Sequence, residues 1–322
     1  MGQPVAVVLG GAGFIGSNLA SRLEQDGYTV RRVDIRLDRY AHDLRNYVEC
    51  VRAIGHADVV FHLAADMGGV GYFHRQDYYP FLNNMQITLN VLRAVEDLGV
   101  GRLFYASSAC AYPTGWQSIR ATRAHLLTES ALECADGGCD GDEFGPPDQM
   151  YGREKLMGLR LCERAPFDAR VGILHTVYGP GQEREGERMK FPAAVATKAL
   201  RSRDTGCPLE LWGDGTQQRS YLYVDDAVEK ILRVTFDDRY DGPVNIGSQG
   251  AVSCRQVAEL CLELVGADVP IVTNPTEPSG VLARDCDNSE WVRRYGQDYD
   301  RPLAEGFGQF LAWLDGHHSD AP

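Results

Sequence analysis

Tyr151 and Lys155, in the stretch YGREK, stand four residues apart and share a face if that stretch is helical. A phenol ordinarily titrates near ~10, and an ammonium beside it favours the phenolate, which makes this tyrosine a candidate base near neutrality. Ser108 ends the apolar run GRLFYASS and can hydrogen-bond the hydroxyl that such a base would deprotonate. Two residues further lies Cys110, in YASSACAYP. A free thiol titrates near ~8.5 and becomes a second base wherever a cation favours the thiolate. Each residue also has a plain reading on its own. Tyr and Lys can decorate an exposed helix, and a strand-end cysteine can be an inert packed thiol.

A second group of residues gives these side chains a context. GGAGFIGS places Gly10, Gly13 and Gly16, with Phe14 and Ile15 between them, directly after the run VAVVLG and at the start of the helical pattern NLASRLEQDG. Glycines there permit a tight turn and let backbone N–H groups approach a pyrophosphate at a helix N-terminus. Asp34 ends the next strand run, about 20 residues on, where a carboxylate binds the adenosine ribose. A carboxylate at that point repels a 2′-phosphate, so NAD is expected rather than NADP, although Arg31, Arg32 and Arg36 lie nearby. Asp43, in HDLRN, is placed to reach the adenine, and Ala64, near the end of the third strand run, ADVVFHLAA, is read as a cofactor contact.

These groups need elements to hold them, and the chain supplies alternating ones. YTVRRVD, ADVVFHLAA, GRLFYASS, ARVGILHTVYG and GPVNIG read as strands, and NVLRAVEDLG is apolar at helical spacing. Strand–helix alternation predicts an α/β fold, a Rossmann-type doubly wound parallel sheet with a smaller C-terminal substrate-binding lobe. Residues 1–178 are read as the dinucleotide domain, with segments returning to it at about 217–248, and residues 179–322 mainly as the second lobe. The 322 residues suffice for a large core, and the net charge of −13 argues against nucleic acid and anionic membranes as partners. No apolar run approaches a membrane span, and MGQPVAVVLGG enters a strand directly rather than a signal peptide, so a cytoplasmic location is expected. The nine cysteines form no framework and are read as mostly reduced. Cys134 and Cys139, in ECADGGCDGDE, match no usual zinc spacing, so that stretch reads as a surface insertion and no metal is expected.

The spacing GxxGxxG together with YxxxK resembles the extended short-chain dehydrogenase/reductases, which mostly act on nucleotide-diphosphate sugars. Longer blocks resemble one branch, the GDP-mannose 3,5-epimerases: AADMGGVG, LNNMQITLNVL, FYASSACAYP, YGREK, LHTVYGPG, GERMKFPAA, WGDGTQQRSYLYVDD, PVNIGS and RDCDN. AADMGG and SSACAYP belong to the branch, whereas the glycine fingerprint and YxxxK are shared by the superfamily.

That resemblance implies a transient 4-keto sugar, formed with Tyr151 as base and NAD as hydride acceptor. The ketone acidifies the hydrogens on C3 and C5, and inversion then needs Cys110 on one face of the ring and Lys190 on the other. Returning the hydride to C4 leaves no net redox change. Arg219 and Arg284 correspond to the two arginines that embrace the diphosphate, each able to present a bidentate fork. Lys198, Gln217 and Gln218 would complete the nucleotide end, while Gly68, Ala109, Met189 and Phe191 would line the sugar. The family also implies a homodimer built on two helices per subunit.

Two departures bear on the substrate. Thr176 follows His175 where the branch has Asn, and Thr is shorter and lacks amide donors. An insertion of roughly ten residues precedes Tyr151, longer than the usual connection. A single-centre epimerase of a related GDP-hexose or GDP-heptose is therefore the nearest rival reading. A 4,6-dehydratase would carry an Asp-Glu pair where this chain has Ala109 and Cys110, and an epimerase-reductase would require NADPH, against Asp34. A sensor that had lost catalysis would not be expected to retain Ser108, Tyr151 and Lys155 together.

Overall fold

The computed structural model describes residues 2–119, 126–135, 145–296, 298 and 300–317. Five strands carry the dinucleotide half: β1 (Val5–Leu9), β2 (Thr29–Val33), β3 (Val59–His62), β4 (Arg102–Ser108) and β5 (Ala169–Leu174). A sixth, Val244–Ile246, joins beside β5, giving the order Val244–Ile246, β5, β4, β3, β1, β2 with all pairs parallel. Because these strands are covered on both faces, they read as near-continuous apolar runs. The order reverses between β1 and β3, and ligands of doubly wound sheets bind beyond the strand C-termini at that switch point.

Alternate side chains of each strand enter two different cores. Val7, Leu9, Val60, Leu103 and Tyr105 pack against the helices Tyr78–Leu98 and Gln149–Glu163. Ala6, Val8, Phe61 and Phe104 face the opposite side, against the helices Phe14–Gln25 and Val224–Phe236. This second core runs on into the C-terminal lobe, where Tyr178 stacks on Phe307 with ring centroids 4.4 Å apart. The lobe consists of the helices Phe191–Thr205, Cys254–Val265 and Leu303–Gly316 with small sheets of two and three strands.

Two elements differ from their sequence reading. ARVGILHTVYG is not one strand. After β5 the chain turns at buried His175, which is hydrogen-bonded to Asn245, and Thr176–Tyr178 pairs instead with Tyr221–Tyr223. NVLRAVEDLG is only the second half of the helix Tyr78–Leu98; the first half breaks the apolar period with Asn83 and Asn84, of which Asn84 is buried for a polar task. Seven cysteines are free thiols, and Cys134 is disulfide-bonded. Cys139 and most of the acidic insertion lie outside the described residues. Among the described residues no helix is long and apolar enough to cross a membrane, and no His/Cys/Asp/Glu cluster could hold a metal.

Candidate active site

The glycine loop leaves β1 at the switch point. Gly10 has φ +84°, a left-handed conformation, and a Cβ there would lie 2.9 Å from the backbone N of Ala64, so the turn holds Ala64 against the loop. A Cβ on Gly16 would fall 2.1 Å from the Gly10 carbonyl oxygen, which ties the helix Phe14–Gln25 to the turn. No side chain caps this helix at Gly13, so the first-turn amides at Phe14 and Ile15 face outward as anion donors. Asp34 accepts the Ala12 N–H at 3.2 Å and the Arg36 N–H at 3.0 Å, leaving its carboxylate at the loop's edge. Arg31 donates to the carbonyls of Ala53 and Ile54, and Arg32 pairs with Glu24, so neither is aimed at a 2′-phosphate. Arg36 folds back onto Asp34 at 3.3 Å. This donor set fits a dinucleotide with free ribose hydroxyls. Asp43 is ion-paired with Arg45 at 2.7 Å, on the rim rather than in the loop.

Ser108, Cys110, Tyr151 and Lys155 meet where β4 ends against the helix Gln149–Glu163. The Ser108 hydroxyl accepts the Cys110 N–H at 3.2 Å and favours the ionised form of the nearby Tyr151 phenol. Close approach of helix to turn depends on Gly152, whose Cβ would lie 2.1 Å from the Cys110 carbonyl oxygen. Ala109 is buried beneath this turn. Tyr151 packs on Phe73, centroids 5.0 Å apart, in a cluster that includes Met67 and Cys110. The Lys155 ammonium lies 5.7 Å from the Tyr151 ring centroid and 3.5 Å from the Glu154 carboxylate.

The sequence reading has Lys155 lowering the phenol's pKa. In the structure the Tyr151 pKa is instead raised well above its ordinary value, first by burial and then by the negative charge of Cys110 and Glu154, with Ser108 and Arg284 acting the other way.

Opposite this wall stands the segment before the helix Phe191–Thr205, with Lys190 at its N-cap. Met189 presents its carbonyl to Gly69, where a Cβ would lie 2.4 Å away, so the two loops touch. Gly68 is further constrained by its own neighbour: a Cβ there would strike the Tyr72 ring at 2.6 Å. Burial lowers the Lys190 pKa, Arg284 and Lys155 push the same way, and Cys110 opposes them. Phe191 packs near Tyr221, centroids 6.4 Å apart.

Arg284 lies against the Cys110 thiol and pairs with the Asp148 carboxylate and the Gln117 amide oxygen. Burial depresses its pKa, but Cys110 and Asp148 together outweigh that and raise it. Arg219, next to Arg284 in a parallel strand pair, donates to the carbonyls of Gln218 and Val281 at 2.7 Å each. Burial pulls its pKa down to about 10. Gln217 bonds Asp214 at 3.1 Å, and Lys198 donates to the Glu210 carbonyl at 2.9 Å beside Trp212. Thr176 sits half-buried on its strand beside Tyr221.

Sequence reasoning missed four side chains that organise the site. Asp148 binds Arg284 and donates its own N–H to the Cys110 carbonyl at 3.1 Å. Asp66 accepts from Tyr72 and from Arg188, each at 2.8 Å, and Arg188 also reaches the Met67 carbonyl at 2.8 Å. Asn84 accepts the Asp66 N–H at 2.6 Å and donates to Glu154 at 3.3 Å. One signal was available. The chain has only four lysines, at 155, 190, 198 and 230, and nearly all its other cations are spent on arginine. A residue type used so sparingly marks its positions, and acids and amides close to those positions merit the same scrutiny.

The pattern described as "NAD dependent epimerase/dehydratase family" matches residues 6–247. A protein of Oryza sativa subsp. indica named GDP-mannose 3,5-epimerase 1 is 36% identical over 322 residues, covering 95% of this chain and 80% of its own. A UDP-glucose 4-epimerase structure from Thermotoga maritima, with UDP-glucose, superposes with a TM-score of 0.81 at 25% identity over 98% of this chain and 99% of its own. MoeE5 in complex with UDP-glucose and NAD superposes with a TM-score of 0.78 at 28% identity, covering 99% of this chain and 100% of its own. The chain belongs to the NAD-dependent epimerase/dehydratase family, as an enzyme homologous to the GDP-mannose 3,5-epimerases with NAD as its cofactor.

Proposed function

We propose that this enzyme epimerises a GDP-hexose, most simply GDP-mannose, at C3, C5 or both. NAD-dependent chemistry on a nucleotide sugar follows from the family; the substrate and the centres inverted are our reading. Residues 1–178, with the returning segment about 217–248, would hold the cofactor, through the amides of Phe14 and Ile15, the carboxylate of Asp34 and the catalytic pair Tyr151 and Lys155. Residues 179–322 would mainly hold the sugar nucleotide.

When bound, NAD supplies reversible oxidation at C4. Tyr151 takes the C4 hydroxyl proton and later returns it, with Ser108 holding the same oxygen. While the 4-ketone persists, Cys110 removes a proton from the adjacent carbon on one face, and the Lys190 ammonium delivers one on the other. Arg284 lies where it can steady the thiolate and, once Asp148 yields to a diphosphate, bind that group together with Arg219. The observation that carries this reading is that Cys110, from the end of β4, packs in one cluster with Tyr151, Met67 and Phe73, while Met189 and Lys190, at the start of the opposing lobe's helix, close against Gly69 beside it.

Incubation with GDP-mannose in D₂O without added reductant, followed by NMR and mass analysis of the sugar, tests it. Deuterium at both C3 and C5 with new epimers establishes double inversion, and label at one carbon establishes a single-centre enzyme. No label excludes GDP-mannose and directs attention to Thr176, whose hydroxyl replaces an amide. We also read the enzyme as a cytoplasmic homodimer that pairs through the helices Tyr78–Leu98 and Gln149–Glu163.

A further inference from the structure

Glu154 has no task in this mechanism, yet it lies between Tyr151 and Lys155 on the catalytic helix and is 1% exposed. An ionised carboxylate so deep is costly unless paired. One oxygen, Oε2, accepts from Asn84 at 3.3 Å; the other, Oε1, has no hydrogen-bond partner and lies 3.5 Å from the Lys155 ammonium, itself 5% exposed. Asn84 cannot turn away, because its amide also holds both the N–H and the C=O of Asp66.

We propose that Glu154 is a positioning residue, the resident counter-ion that keeps the Lys155 ammonium charged and in place behind Tyr151. The inference rests on the reading of Tyr151 and Lys155 as the catalytic pair. The phenol is neutral for part of each cycle, and Lys155 would then be a buried cation with no anion beside it. Glu154 neutralises it in that state: burial raises the carboxyl's own pKa, and Lys155, Asn84 and Tyr105 act against that rise. The same charge opposes ionisation of Tyr151, in line with its effect on the phenol.

The other groups facing the pair do not substitute for it. Buried His62 has its pKa lowered to about 3 and Cys162 has its pKa raised to about 12, so both are neutral. Burial also keeps the Tyr105 phenol neutral. Cys110, Arg284 and Lys190 lie on the substrate side and would be unaltered in every variant below.

The test uses the ligand-free protein. Alkaline difference absorbance of each protein against its Tyr151→Phe counterpart isolates one phenol. In Glu154→Gln the tyrosinate should appear at lower pH, about tenfold more of it at a given pH on the rising limb; Glu154→Asp, which keeps the charge, should track the parent. An unmoved onset in Glu154→Gln, or an equal shift in Glu154→Asp, overturns the proposal. Thermal melts give a second reading that tolerates a weakened fold. Glu154→Gln should melt below the parent, and adding Lys155→Met should restore most of the loss by removing the orphaned cation. A double variant no more stable than Glu154→Gln alone also overturns it. No sugar enters these measurements, so their failure is distinct from failure of the epimerase reading, which the D₂O incubation decides.

Discussion

In the proposed mechanism Cys110 and Lys190 divide the inversion between them, and their variants should then fail differently from Tyr151. Cys110→Ala should lose inversion by about 10²–10⁴-fold, the usual worth of a positioned acid or base, with NAD affinity intact by titration. Turnover at the parental rate in that variant would exclude the thiol from the chemistry. Tyr151→Phe should stop the reaction before any carbon exchanges hydrogen with solvent. Lys190 must be an ammonium to act as acid. Since burial lowers its pKa, the alkaline limb of the rate profile should lie below that of an ordinary lysine. With only four lysines, isotope-labelled lysine NMR can follow each one, with Lys190→Arg identifying its resonance. Lys190 and Lys198 are the two expected to lose their charge early. A Lys190 resonance that titrates like a free lysine would remove the argument for its burial.

The helix Gln149–Glu163 brings Tyr151, Glu154 and Lys155 to one end of the sheet, and two glycines set how closely it lies. Gly152 admits the Cys110 carbonyl, and Gly158 admits the Tyr105 hydroxyl, which a Cβ would meet at 2.1 Å. Gln149, at the helix start, has φ +55°, a conformation costly for a residue with a side chain. Strain there is tolerable because Asp148 is anchored to Cys110 and to Arg284. Gly152→Ala meets backbone rather than a flexible tip, so it should cost about 1–3 kcal/mol in denaturant unfolding, the usual cost of overpacking. It should also cost turnover beyond that, because the helix and the Cys110 turn must separate. A variant with parental stability and activity would show that the approach is not required.

At the scale of the whole molecule, Arg188 ties the C-terminal lobe to the dinucleotide half. From the loop before Lys190 it reaches Asp66, Met67 and Tyr72 on the other side, with its guanidinium 4.3 Å from the Tyr72 ring centroid. On the outer surface, the helix Tyr78–Leu98 exposes Tyr78 and Tyr79 at 63% each and Leu89 at 50%, and the neighbouring catalytic helix exposes Met157 at 50%. Adjacent apolar side chains on two packed helices are the kind of surface that a second copy covers. Leu89→Glu with Met157→Glu should shift sedimentation from dimer to monomer at micromolar concentration. An unchanged dimer would locate the interface elsewhere.

Much of the dinucleotide half was legible in the chain alone. Short apolar runs, glycines at turn positions and Asp34 at a strand end are local signals, and each maps to a local structure. Branch-specific blocks such as AADMGG and SSACAYP pointed to the chemistry, because reacting side chains keep fixed spacings along single elements. Folding decided what depends on distant parts of the chain meeting. Arg284 lies against Cys110 only because a strand from the far lobe returns to the cleft, and Gly68 is constrained by the ring of Tyr72. Nothing in YGREK singles out Glu154, and its burial beside Asn84 and Lys155 follows from the packing of two helices. Residue type and spacing determined which groups could react. Burial and pairing across elements, which no single stretch encodes, decided which of them are charged, which are held, and how readily each gives up a proton.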